Sequence, residues 1–321
     1  MLTDGEKLGA FVIPTGIGAS IGGFAGDASV AAREFSRYCK LIVNPNVVNA
    51  ACFSGINDNM LYVEGYTLDE FFRGKCNLVP STNNKIGVVF DRSIPQEVLN
   101  VHINTINAVK TVYGINVTGY EITKEPVGVE FFIDSTESST GNVKNLNTIK
   151  ESAENLINKG ADAIAIVCLF PEDDNDDYAN GIGADPVGGV EAIISHYISK
   201  ELKVPCAHSP AFENIQISTD IVDPRCSAEY ITPTFLPCIL LGLSQAQLIS
   251  KESGINISEL DFLAMPYNSL GSIPVLEMVK MGKPVYAVKE NNTVLDVTNE
   301  KLNLAISVFD TYADVVDYIM A

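Results

Sequence analysis

Short apolar runs alternate along this chain with longer stretches whose apolar residues recur three and four positions apart. The runs predict strands near 8–13, 41–43, 85–90, 115–122, 127–133, 162–168, 203–207, 261–265 and 284–288. The longer stretches predict helices near 26–38, 67–73, 95–113, 143–158, 187–200, 235–250, 272–281 and 309–319. Pro95 sits in the first turn of the helix 95–113, and Gly114 stops it. Asp185 followed by Pro186 is a start signal for the helix 187–200, which carries an apolar face of Val190, Ile193, Ile194 and Tyr197.

The run up to Cys168 lacks the polar alternation of a half-exposed strand, which predicts a sheet covered on both faces. Strands that alternate with helices predict parallel crossovers. The expected class is therefore α/β, with one or more mostly parallel, doubly wound sheets. Two lobes, 1–134 and 143–321, or one continuous domain both fit this pattern. The stretch 115–133 stands apart: two strand-like runs joined through Lys124-Glu125-Pro126 predict a hairpin or sheet extension. STESSTGN at 135–142 then reads as a linker or exposed loop.

Composition narrows the partners. Over 321 residues, 21 basic against 40 acidic side chains give a net charge of −19, opposite to the clustered Lys and Arg that bind phosphate backbones. Nucleic acid and anionic membranes are excluded on that ground, leaving a small-molecule ligand, with a homo-oligomer allowed. The seven cysteines form no CxxC pair and suit a reducing compartment. The apolar run 236–243 is far short of the roughly 20 residues of a membrane span, and Asp4 and Glu6 are unlike a secretory signal. A cytoplasmic protein is expected.

Polar residues collect just after the predicted strands, where an open parallel sheet binds ligands. After the first comes PTGIGASIGGFAGD at 14–27. Its glycines allow sharp turning and close approach of backbone N–H groups to a ligand, which makes Gly16, Gly18, Gly22, Gly23 and Asp27 candidate binding residues. A dinucleotide fold would place an acidic residue at the end of the second strand. Asn44 and Asn46 stand there instead, and with Asn49 they join the candidate substrate-binding set. No GxxxxGK[ST] segment occurs.

His208 and Ser209 end the predicted strand 203–207, and His208 suits a general acid/base. His102 and His196 read as packing residues. Cys168 ends its strand and Cys52 follows another, an arrangement that two-thiol proton exchange would use, against the ordinary burial of free cysteine. Glu64, in YVEGY, is an alternative carboxylate base. The run EDDNDD at 172–177 resembles a calcium loop but has Tyr178 and Ala184 where an EF-hand needs Gly and Glu. It reads first as a solvated loop and second as a divalent-metal site. With Gly181, Gly183 and Asp185 it forms a plausible lid. The sequence requires no cofactor.

Several segments resemble an uncharacterised family, the domain of unknown function 3326: IPTGIGASIGGFAGDA at 13–28, NPNVVNAA at 44–51, YVEGY at 62–66, GADPVGGVEAIISHYI at 183–198, VPCAHSPAF at 204–212 and TFLPCILLGLSQA at 234–246. The resemblance spans most of the chain and brings no assigned reaction or catalytic residues. GADAIAIVC at 160–168 is also similar to a cysteine-bearing strand of the aspartate/glutamate racemase group, although Leu169 replaces a small polar residue there. The leading expectation is a cytosolic enzyme that moves protons on a small carboxylate or cyclic amide, isomerase-, racemase- or hydrolase-like, through His208 with Cys168 or Glu64. A dinucleotide-dependent oxidoreductase and a non-enzymatic metabolite-binding protein are the alternatives.

Overall fold

The computed structural model describes residues 6–24, 28–172, 177–215 and 217–321. Two parallel sheets form its frame. The larger has six strands in the order Ser307–Phe309, Val285–Val288, Phe262–Pro266, Leu8–Phe11, Lys40–Val43 and Met60–Tyr62. The smaller has four, in the order Cys206–Ala211, Ala163–Leu169, Ile86–Phe90 and Val117–Ile122. All pairs within both sheets are parallel. The protein is α/β.

Each sheet is doubly wound because its buried strands carry apolar side chains on both faces. In the six-stranded sheet, helices Ser29–Phe35 and Tyr312–Met320 pack together on one face and Gly65–Phe72 and Ile273–Lys280 on the other. In the four-stranded sheet, Gln96–Tyr113 and Leu236–Gln245 cover one face, Leu146–Asn158 and Gly188–Leu202 the other. One apolar cluster runs through both sheets, from Phe11 and Leu41 to Val88 and Ala165. Helix Leu236–Gln245 bridges them, touching strands of each.

The sheets cut across a division at 134–143. The chain builds half of the larger sheet, leaves it, forms the whole smaller sheet between residues 86 and 211, and returns for the last three strands. The outgoing segment Asn77–Val79 and the returning Leu248–Ser250 run side by side as an antiparallel pair. Residues 248–250 are therefore a strand rather than the end of the predicted helix 235–250, which closes at Gln245.

Of the hairpin or sheet extension expected at 115–133, the first run extends the smaller sheet and the second pairs elsewhere. Val117–Ile122 joins the smaller sheet parallel to Ile86–Phe90, because the intervening 18-residue helix Gln96–Tyr113 supplies the long crossover that parallel pairing needs. Val129–Ile133 instead pairs antiparallel with Ser139–Val143. The expected linker is thus half of a hairpin, turned where Asp134 Oδ1 accepts the Thr136 N–H at 2.7 Å. Helix Gly188–Leu202 lies on this hairpin. A Cβ on Gly141 would come within 2.7 Å of Val190 Cβ, which is why no side chain stands there.

Candidate functional site

Residues from both sheets wall a cavity of about 110 Å³. Gly16, Gly22, Gly23 and Phe24 come from the segment after Leu8–Phe11, and Asn46 and Asn49 from the segment after Lys40–Val43. The opposite wall is Asp185, Glu191, His208 and Glu229, with Tyr178, Phe235 and Cys238 closing the sides. The expected convergence of strand-end segments on one cleft is therefore seen for these residues. A second chamber of about 300 Å³ shares Tyr178, Asp185, Pro210, Glu229 and Phe235 with the first and adds Val187, Phe212 and Tyr230.

His208 stands where strand Cys206–Ala211 meets the first turns of helix Gly188–Leu202. Its Nδ1 lies 2.9 Å from Ser195 Oγ. The Ser195 hydroxyl has backbone acceptors in its own helix, Glu191 O and Ala192 O, both at 3.3 Å. Ser195 Oγ holds Nδ1 in place, and Nε2 faces Glu191 Oε2, 3.6 Å away. The spacing exceeds a hydrogen bond and allows tightening around a ligand.

The electrostatics follow from burial. Desolvation and the neighbouring His196 hold His208 down to about 3. Desolvation, then the negative charges of Asp185 and Glu229, push Glu191 well above the usual carboxylate range. Asp185 and Glu229 are likewise raised by burial, and Asp185 adds to the shift of Glu229. Both shifts favour the proton on Glu191, so the resting pair is a neutral imidazole facing a protonated carboxyl, and moving the proton to His208 needs a ligand that reverses these shifts. Among the described residues no Lys or Arg lines the cavity.

The other expected residues are placed less centrally. Asn44 is buried and clamps the neighbouring segment, accepting the Ile13 N–H at 3.0 Å and donating to Ile13 O at 2.7 Å. Gly18 packs against the 181–185 segment, since a Cβ there would lie 2.5 Å from Gly183 O. Ser209 is buried: it alternates with His208 along the strand and so faces away from it. Asp27 lies outside the described residues, as does most of the acidic run, Asp173 to Asp176. Among the described residues no group of three or more His, Cys, Asp or Glu is placed to hold a metal ion.

Cys168 is a correction. It is 2% exposed and belongs to the apolar cluster of Ile166, Phe170 and Val190, where burial pushes its thiol well up. Neither it nor Cys52 lines the cavity. All seven cysteines are free. Glu64 is also buried away from the cavity wall, at the start of helix Gly65–Phe72. Burial raises it to about 8, opposed by its hydrogen bond with Tyr62. Tyr62 OH in turn accepts from Asn49 Nδ2 at 2.8 Å, so Glu64 reaches the cleft only through Asn49.

Part of the glycine segment is bonded within the protein, although Gly16, Gly22 and Gly23 also face the cavity. The amides of Ser20, Ile21 and Gly23 already donate to Asn292 O, Asn291 Oδ1 and Ala19 O. Gly16 O accepts from the Ser139 amide, and Ser139 Oγ accepts the Gly189 N–H at 2.6 Å, tying the loop to the start of helix Gly188–Leu202. Glu191, Glu229, Tyr178 and Cys238 were not singled out by sequence. Glu191 carried one signal: a carboxylate in the first turn of an otherwise apolar-faced helix.

Comparison with known proteins agrees with this layout in extent. The family described as Protein of unknown function (DUF3326) matches residues 9–321. A protein of Synechococcus sp. named Uncharacterized lipoprotein syc1174_c is 35% identical over 320 residues, covering 97% of this chain and 89% of that protein. No solved structure matches. From its length of match and this relative, the chain is a member of the DUF3326 family.

Proposed function

We propose that this protein is a small-molecule enzyme in which His208 and Glu191 transfer a proton to and from a bound polar metabolite. The observation that carries the reading is the oriented imidazole: Ser195 fixes Nδ1, and Nε2 meets a buried, protonatable carboxyl on the wall of a cavity. An acid and a base with opposed shifts, held within reach of one ligand volume, are the parts that general acid/base catalysis needs. An isomerase or hydrolase would use them without a redox cofactor.

A dinucleotide fits this cleft poorly. Part of the glycine segment is filled by its own packing, and the cavity of about 110 Å³ is small for such a ligand. Location is part of the proposal. Among the described residues no helix is long and apolar enough to cross a membrane, and the cysteines are free, which supports a reducing compartment. The relative's name, lipoprotein, sets against this a membrane-attached alternative that fractionation of cells would separate.

The test is solvent labelling. The full-length protein is incubated with a small-metabolite extract in D₂O, and mass spectrometry follows deuterium uptake and turnover. The expected result is at least one polar metabolite that is labelled or converted by the wild type and left alone by His208→Ala. Labelling that persists in His208→Ala, or none with the wild type, overturns the proposal.

A further inference from the structure

We infer that the inner cavity receives the cationic, N–H-bearing head of a small organic molecule, an amine or a guanidine, between Asp185, Glu191 and Glu229. The inference rests on reading the cleft as a small-molecule site and names the chemistry that site selects. Three carboxyl groups from two segments, the start of helix Gly188–Leu202 and the short helix Ser227–Tyr230, meet on one cavity wall, and no Lys or Arg among the described residues lines it. Desolvation and mutual repulsion keep these groups protonated, and a bound cation is what lets them ionise, whereas a carboxylate ligand would add to the crowding of negative charge. The chain's net charge of −19 also favours a cation.

The independent observation is Glu191. It is 6% exposed, it lines the cavity, and its Oε1 has no hydrogen-bond partner among the described residues. A buried acceptor left without a donor is costly, and native structures seldom keep one without a reason. Asp185 already accepts the Val187 N–H at 3.0 Å, and Glu229 is bonded to Tyr178. Glu191 therefore has the open acceptor, and an ammonium or guanidinium carries the donors to fill it.

The glycine wall points the same way. Of the loop amides on the cavity wall, that of Gly23 donates to Ala19 O within the protein and is not offered to an anion. Size sets the rest of the ligand. The inner volume of about 110 Å³ holds a head group of a few heavy atoms. The adjoining chamber of about 300 Å³, with Val187, Pro210, Phe212 and Phe235 on its walls, suits an apolar body.

The experiment compares matched probes on the full-length protein by calorimetry and thermal shift: butylamine, butylguanidine, pentanoate and Mg²⁺. The expected result is binding and stabilisation by the two organic cations and none by pentanoate. Glu191→Gln should weaken cation binding at least about tenfold, as loss of a charge-assisted hydrogen bond does. Glu229→Gln serves as the second variant if Glu191→Gln fails to fold. Binding of pentanoate, binding of Mg²⁺ in competition with the amines, or unchanged affinity in the folded carboxamide variants overturns the inference. If the cations fail to bind while His208-dependent labelling persists, only the ligand class falls. Cation binding with labelling that ignores His208 removes the proton-transfer reading alone.

Discussion

The glycine segment at 16–24 and the acidic wall of Asp185, Glu191 and Glu229 face one cavity and were made conspicuous by opposite means. The first is dense in glycine and looks like a ligand cradle in one dimension. In three dimensions much of its space is taken by Gly183, Ala19, Ser139 and Asn46. The second is a set of carboxylates scattered over 45 positions, ordinary in sequence, that folding buries together. Glycine density reports close approach without saying what approaches. A buried carboxyl reports chemistry, but only once its surroundings are known.

The sharpest break of this comparison is at His208. If the acidic wall holds the chemistry, His208→Ala should cut turnover by about 10²- to 10⁴-fold, the usual contribution of a positioned acid or base. The protein should still unfold cooperatively, because the imidazole borders a cavity rather than filling a core. Retained turnover would return attention to the glycine wall.

The next test is on that wall. Gly18 has φ +54°, and a Cβ there would lie 2.5 Å from the backbone oxygen of Gly183. Neither backbone can move cheaply, so Gly18→Ala should lose about 2–4 kcal/mol in urea denaturation. A loss under about 1 kcal/mol would mean that the loop is loose enough to cradle a ligand after all.

Much of the frame was legible in the sequence. Every strand of the smaller sheet and four of the six in the larger lie on predicted runs, because a doubly covered sheet writes itself as uninterrupted apolar residues. Met60–Tyr62 and Ser307–Phe309 were missed: they are three-residue edge strands, too short for a period to show. Pairing was less legible than existence. The segment 139–143, rich in Ser, Thr and Gly, reads as a loop, and becomes a strand because Gly141 lets helix Gly188–Leu202 pack closely on it. In the site, Asn46, Asn49 and His208 were recoverable from their place after strands, and Asp185 from its place before a helix. Glu229 was not, since nothing local marks a short helix at 227–230 as a wall of a distant cleft.

A smaller effect separates the two buried glutamates. Glu64 is raised to about 8 by burial, above its ordinary 4.5. The folded state then holds a proton that the unfolded state releases, so stability is complete below pH 4.5 and falls as pH rises toward about 8. His208, held below its ordinary 6.5, acts in the opposite sense at lower pH. The Glu64 signature is therefore read between pH 6.5 and 8, where it amounts to about 2 kcal/mol at most. Glu64→Gln should reduce that slope, the remainder coming from Glu229 and Glu191, and leave His208-dependent turnover in place. Loss of turnover would make the Glu64–Tyr62–Asn49 connection part of the chemistry.

The smallest expected effect concerns Cys168, the residue whose position in the sequence most invited a catalytic role. Its strand partner in register is Pro210, two residues beyond His208, so the thiol lies near the cleft without reaching it. Burial keeps it a thiol, and its surroundings in the cluster of Ile166, Phe170 and Val190 are those of a small packing residue. Cys168→Ala removes one buried atom and should lower stability by about 1 kcal/mol, with turnover changed less than about twofold. The two readings diverge in which quantity moves. A packing role shifts the denaturation midpoint and spares the rate, whereas a proton-carrying thiol would abolish the rate and spare the midpoint. The acidic wall is sufficient for the chemistry only if the first outcome is found.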